Sequence, residues 1–394
     1  MAVHERREHE RDVHRCRGSR ARDLALIAVG ALLACNRNPR KQEPVEITSA
    51  PLTTPSITRP FPTGAPIAEI KERDPLKVAD RDMKAVLAEL EALGARPIAT
   101  LGVEEARAQP TPADAVKSLV EKDKPFVPIA MATVENRSFE GPGGRLDLRI
   151  YTPKSKENQL PVVLYFHGGG FVIANLDTYD ASARAIADEA SAIVVSADYR
   201  RAPEHKFPAA HDDAFAAYRW TLENVNRFGG DPNRVAIAGE SAGGNLAVNV
   251  SMRARDEHIV LPKHQLLVYP IATTAMATDS YKAWAHAKPL DRDAMAWFMK
   301  QTSRTAADAE DTRLDLVHAN VAGLPPTSIV LAEIDPLHDD GVLLGKRLEA
   351  QGVKVEQKTF DGVTHEFFGL SAKVGDGKDA NRWAGKRLRK ALEK

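Results

Sequence analysis

Five short runs are apolar almost from end to end: PVVLYFHG (161–168), AIVVSADY (192–199), VAIAGE (235–240), HQLLVYP (264–270) and TSIVLAE (327–333). A strand with one face in water alternates apolar and polar residues, whereas a strand covered on both faces has no need to. Stretches with helical character separate the runs, so they predict a mostly parallel sheet with helices on both sides, an α/β fold. RLDLRIYT (145–152) precedes them as a further strand. VKVEQKTFDG (353–362) follows as the last, ahead of a C-terminal helix at NRWAGKRLRKALEK (381–394).

Two helices are expected before any strand. DPLKVADRDMKAVLAELEALG (74–94) has Asp74 to cap it, Pro75 at its first position and Gly94 to end it. Leu76, Ala79, Met83, Val86, Leu87, Leu90 and Leu93 form one apolar stripe along it. TPADAVKSLVEK (111–122) repeats the pattern, with Thr111 capping and Pro112 first. Their apolar faces need a surface that only the later sheet supplies.

The segment ahead of these helices has a different character. DLALIAVGALLAC (23–35) is an apolar stretch too short to span a bilayer comfortably, with Arg20 and Arg22 just before it. LLAC (32–35) resembles a bacterial lipobox, which predicts cleavage before Cys35 and lipidation of that residue. The alternatives are an uncleaved apolar anchor or a mis-set start codon that lengthens the charged segment before it, and the alternative location is the cytoplasm. Pro, Thr and Ser crowd the next stretch, which predicts an extended tether. The expected division is a signal segment at 1–35, a tether at 36–73, a helical cap at 74–126 and a catalytic α/β domain at 127–394. Cys16 and Cys35 are the two cysteines, so the body carries no disulfide framework. Lys+Arg and Asp+Glu each total 54, a balance that gives no pointer to nucleic acid.

Chemistry enters at GESAG (239–243), where an apolar strand passes directly into a helix. This is the G-x-S-x-G elbow, which sets Ser241 on a tight turn while the flanking glycines keep side chains out of the crossing. Such a serine needs a base, an orienting carboxylate and donors for an oxyanion. Asp335 stands just beyond one buried strand and His365 in the loop after the next, which is the chain order this architecture requires. His338 competes as the base, and Asp339, Asp340 and Asp361 compete as the carboxylate. His338 and the two aspartates after it read better as helix-start residues, and Asp361 before Gly362 as a turn residue.

The triple glycine 168–170 follows the strand LYF well upstream of Ser241. Bare main chain there can converge with the Ala242 amide on the oxygen of a tetrahedral intermediate. A phosphate loop is the other use of such a run, but no Lys-Ser or Lys-Thr follows it. Neither spaced cysteines nor H-E-x-x-H are present, so no metal site is expected. His211-Asp212-Asp213 reads as another helix start rather than a metal ligand set.

HGGGF (167–171), DYRRAPEHKFPAA (198–210), GGDPNR (229–234), GESAGGN (239–245), GLPP (323–326), DPLHDDG (335–341) and HEFFG (365–369) occur in the order seen in the hormone-sensitive-lipase-like esterases. The sequence resembles this bacterial family IV branch of the α/β-hydrolases over roughly residues 75–370. The resemblance implies a Ser241–His365–Asp335 triad and an oxyanion hole from the backbone of Gly169, Gly170 and Ala242. It implies an N-terminal helical cap over the acyl pocket, and a supporting role for the DYRRAPEHKFPAA loop. Glu240 departs from the Asp usual in the commonest subgroup.

The function expected is a serine carboxylesterase acting on small acyl esters of short to medium chain, without a cofactor. It touches a membrane only through the Cys35 anchor, in a bacterial envelope. An amidase or peptidase would use the same triad, and a non-catalytic ligand-binding protein could share the fold. Receptors of that kind lose the histidine, whereas His365 is present here.

Overall fold

The computed structural model describes residues 71–393; Cys35, the lipobox and nearly all of the expected tether lie outside them. Eight strands form one sheet: β1 (Thr133–Gly141), β2 (Gly144–Thr152), β3 (Leu160–Phe166), β4 (Ile193–Ala197), β5 (Gly230–Glu240), β6 (Gln265–Val268), β7 (Thr327–Ile334) and β8 (Val355–Thr364). They lie in the order β1-β2-β4-β3-β5-β6-β7-β8. The hairpin β1–β2 and the β2–β4 pair are antiparallel, and every pairing from β4 through β8 is parallel.

The five apolar runs became the central strands because both of their faces are covered. In β3, Val162, Leu164 and Phe166 enter one buried cluster with the helices Ala209–Asn224, Ala242–Asp256 and His338–Ala350. Val163 and Tyr165 enter the other, with the helices Asp180–Ala190 and Gly375–Ala391. Period-two alternation thus feeds two cores from one apolar segment. β1 was not expected as a strand. It is an edge strand with no buried residue, so its sequence carries no apolar run.

The helix expected over 74–94 is broken. Pro75–Val78 forms one turn, capped by the Asp74 side chain accepting from the Leu76 amide at 3.0 Å, and Arg81–Ala92 forms the main helix. Between them Asp80 is extended (φ −66°, ψ 161°), and its amide donates to the Gly362 carbonyl of β8 at 2.8 Å. A tertiary hydrogen bond therefore interrupts a stretch that is helical by local preference. Met83, Val86, Leu87 and Leu90 are buried as the stripe predicts, whereas Leu76 and Leu93 at its ends are exposed. Together with Pro112–Glu121, the main helix packs into the cluster that holds Phe367 and Phe368 beyond β8. Val103–Ala108 is a further short helix that the sequence did not signal. Among the described residues no helix is long and apolar enough to cross a membrane.

β3 lies between β4 and β5, so the chain progresses outward from it in both directions. At such a switch point the loops leaving the strands' carboxyl ends diverge and open a crevice. His167 and the glycines leave β3 there, Ser241 leaves β5, Asp335 leaves β7 and His365 leaves β8.

Candidate active site

Ser241 has φ 55° and ψ −117°, a conformation costly for a side-chain-bearing residue, and it is the residue at which β5 becomes the helix Ala242–Asp256. The turn closes because nothing fills it. A Cβ on Gly239 would lie 2.1 Å from the Gly243 carbonyl oxygen, and one on Gly243 would lie 2.1 Å from that of Phe166. The Ser241 amide donates to Val268 O at 2.9 Å, which ties the elbow to β6.

His365 Nδ1 lies 2.7 Å from Asp335 Oδ2, with both side chains almost wholly buried. Asp335 Oδ1 accepts from the Leu337 amide at 2.8 Å, so the carboxylate is fixed from its own loop. The Tyr269 ring packs on the imidazole at 4.4 Å between centroids. Burial alone pulls His365 down. The charge and hydrogen bond of Asp335, then Glu366 and Glu240, outweigh it and raise the imidazole above its ordinary value.

The rival residues stand elsewhere. His338 opens its helix and contacts Asp339 Oδ1 and Thr359 Oγ1, both at 3.2 Å. Asp339 accepts from the Ser280 amide at 2.9 Å, and Asp361 is exposed on β8. The helix-start reading is incomplete for two aspartates that are in fact fully buried. Asp340 Oδ2 accepts from the Ala272 and Thr273 amides at 2.9 and 3.0 Å, bracing the loop after β6. Asp213 receives both arms of Arg200. A buried carboxylate answers to the donors packed against it more than to a helix dipole.

Gly169 lies at φ 98°, and a Cβ there would meet Ile173 O at 2.3 Å. Among the described residues the Gly169, Gly170 and Ala242 amides donate no hydrogen bond. The loop after β4 braces this one. Tyr199 donates to the His167 and Gly168 carbonyls at 3.0 and 3.1 Å and stacks on the His167 ring. Asp198 Oδ1 lies 3.1 Å from His167 Nε2. That is how DYRRAPEHKFPAA supports the glycines.

Behind Ser241, Glu240 is wholly buried and accepts from the Tyr165 hydroxyl at 2.7 Å and the Tyr269 hydroxyl at 2.6 Å. Burial, then the negative charge of Glu366, push it up to about 7. The longer side chain at this position thus reaches two phenols. Glu366 accepts from the Tyr179 hydroxyl at 2.7 Å, and burial raises it too. No role for Glu366 was legible in HEFFG; the signal available was a charged residue directly beside His365.

Ser241, His365, Gly169, Gly170 and Glu366 all line one cavity of about 600 Å³. Leu87, Leu90 and Ile98 of the N-terminal helical region form part of its wall, and Met295 and Phe298 of the helix Arg292–Thr302 another. Among the described residues no three His, Cys, Asp or Glu side chains are grouped to hold a metal ion.

A family model described as alpha/beta hydrolase fold matches residues 163–369. The chain is 40% identical over 251 residues to carboxylesterase NlhH of Mycobacterium tuberculosis, an alignment covering 63% of this chain and 79% of that protein. It is 34% identical over 234 residues to ethyl acetate hydrolase of Pseudomonas putida, covering 58% and 74% respectively. An esterase of Pyrobaculum calidifontis superposes with a TM-score of 0.70 at 34% identity, over 77% of this chain and 98% of that one. A thermostable esterase of Pseudomonas putida gives 0.73 at 30% identity, over 80% and 98%. With its fold, its motif order and these likenesses in agreement, the chain belongs to the hormone-sensitive-lipase-like, family IV branch of the α/β-hydrolase superfamily.

Proposed function

We propose that the protein is a serine carboxylesterase that hydrolyses short- to medium-chain acyl esters through an acyl-enzyme. The observation that carries this reading is the 2.7 Å contact of His365 Nδ1 with Asp335, at the edge of a cavity that Ser241 also lines. Nδ1–H bound to Asp335 leaves Nε2 unprotonated and able to take the Ser241 proton as Oγ attacks the ester carbonyl. The amides of Gly169, Gly170 and Ala242 receive the oxyanion, each such donor being worth about 10²–10³ in turnover. Nε2 then returns the proton to the departing alcohol, and water repeats the sequence on the acyl-enzyme. The residues from about 74 to 126 act as a cap whose Leu87, Leu90 and Ile98 bound the acyl chain, while 127–394 carries the chemistry. Residues 36–73 tether this body to a bacterial envelope membrane through lipidated Cys35.

A fluorophosphonate should label Ser241 in the full chain and fail to label Ser241→Ala. A chain-length series of nitrophenyl esters should peak at short to medium acyl groups. Faster turnover of a matched amide than of its ester would replace this reading with an amidase.

A further inference from the structure

Each ring nitrogen of His365 has a carboxylate beside it. Asp335 meets Nδ1, and Glu366 Oε1 lies 3.9 Å from Nε2, the nitrogen that exchanges protons with Ser241 and the substrate. Glu366 sits at φ 77°, in the left-handed region that favours glycine, so a glutamate is held where a residue without a Cβ would be unstrained. The Tyr179 hydroxyl, donating at 2.7 Å, fixes the same Oε1, and about a quarter of the side chain (24%) stays exposed, on the cavity it lines.

We propose that Glu366 is a positioning residue for the base, a carboxylate pinned by Tyr179 that stabilises the His365 imidazolium from its Nε2 side. The proposal rests on His365 being the base of the esterase reading. At 3.9 Å the contact is too long for a hydrogen bond, so Glu366 acts through charge and leaves Nε2 free for the serine and the leaving alcohol. The other groups facing this pair are Asp335 from the loop after β7, Glu240 from β5, and Tyr165, Tyr269 and Tyr199 with His167 from the neighbouring strands and loops. Of these only Asp335 and Glu240 add negative charge toward His365, and both face it in any Glu366 variant.

The test compares the full chain with Glu366→Gln and Glu366→Gly. The glutamine keeps an acceptor for Tyr179, and the glycine relieves the backbone, so misfolding would not explain a shared result. Two readouts are taken: the NMR titration of the His365 imidazole, and the pH profile of kcat/KM for a neutral short ester. Losing the charge should lower the His365 pKa by about 0.5–1 unit and carry the acid limb of the profile down with it. The kcat plateau should fall by roughly 3–10-fold with KM little changed, because only the imidazolium loses support. A His365 titration unmoved in both variants overturns the proposal. A titration that moves while the acid limb stays put upholds the Glu366 contact and instead overturns His365 as the base.

Discussion

Arg107, on the short helix Val103–Ala108, and Glu204, in the loop after β4, meet through two nitrogens and two oxygens, both at 2.7 Å. The same guanidinium donates to Val172 O and Ala202 O at 2.9 Å each. Val172 is two residues beyond the last of the three glycines, so one side chain of the N-terminal helices holds together the glycine loop and the loop after β4. The ion pair itself adds little, because the Glu204 side chain is 53% exposed. The carbonyl contacts matter more, since removing their donor leaves two partly buried acceptors unpaired.

Arg107→Met is therefore expected to lower stability by about 1–3 kcal/mol and to reduce turnover of a short ester. Arg107, by its hydrogen bonds first, holds the Glu204 carboxyl down at about 2. A depressed carboxylate stabilises above its ordinary range and loses that contribution as pH falls from about 4 toward 2. Denaturant titrations at neutral and acid pH should show most of the variant's deficit persisting in acid, with only the small share owed to the exposed ion pair lost there.

Glu240→Gln should flatten the pH dependence of stability. Glu240 titrates at about 7 when folded, above its ordinary value, so the native state binds the extra proton and stability falls as pH rises from about 4.5 to 7. A glutamine has no proton to lose there and still offers an oxygen to Tyr165 or Tyr269. The melting temperature of the variant, measured from pH 5 to 7.5, should vary less than that of the wild type.

Asp335→Asn and Asp340→Asn should separate chemistry from bracing. Exchanging the orienting aspartate of a serine-protease triad for Asn lowers turnover about 10⁴-fold by favouring the wrong tautomer, and Asp335→Asn is expected to behave likewise. Asp340 bonds the amides of Ala272 and Thr273 through one oxygen, and its other oxygen has no partner among the described residues. Burial raises its carboxyl above the ordinary range, and an Asn keeps the acceptor but places an unpartnered NH2 where the other oxygen stands, so Asp340→Asn should cost stability modestly and turnover little. Turnover at matched folded concentration checks the pair; loss in Asp340→Asn with Asp335→Asn intact would reverse the assignment.

Intact-mass analysis of membrane fractions should find the chain beginning at Cys35 with added acyl mass. Cys35→Ser should release the protein from that fraction without lowering esterase activity. Full-length protein in the soluble cytoplasmic fraction would contradict the anchor.

The buried parallel strands and the elbow were legible in the sequence, because both are written in short-range terms, whereas the edge strand β1 was not. Buried parallel strands read as unbroken apolar runs, and Ser241 lies on a strand-to-helix turn because Gly239 and Gly243 leave room for the crossing. Spacing along the chain also singled out Asp335 and His365, since each follows a strand in the order the fold requires. Tertiary structure decided the rest. Asp80 breaks a helix that its neighbours favour, because its amide finds Gly362, far along the chain on the last strand. Glu240 meets Tyr165 and Tyr269 across 75 and 29 residues, and Glu366 meets Tyr179 across 187. Such pairs leave no periodic trace, and the burial that shifts their carboxyls exists only once the sheet closes over them. Local pattern therefore specified where Ser241 stands, while packing alone set the charges that surround His365.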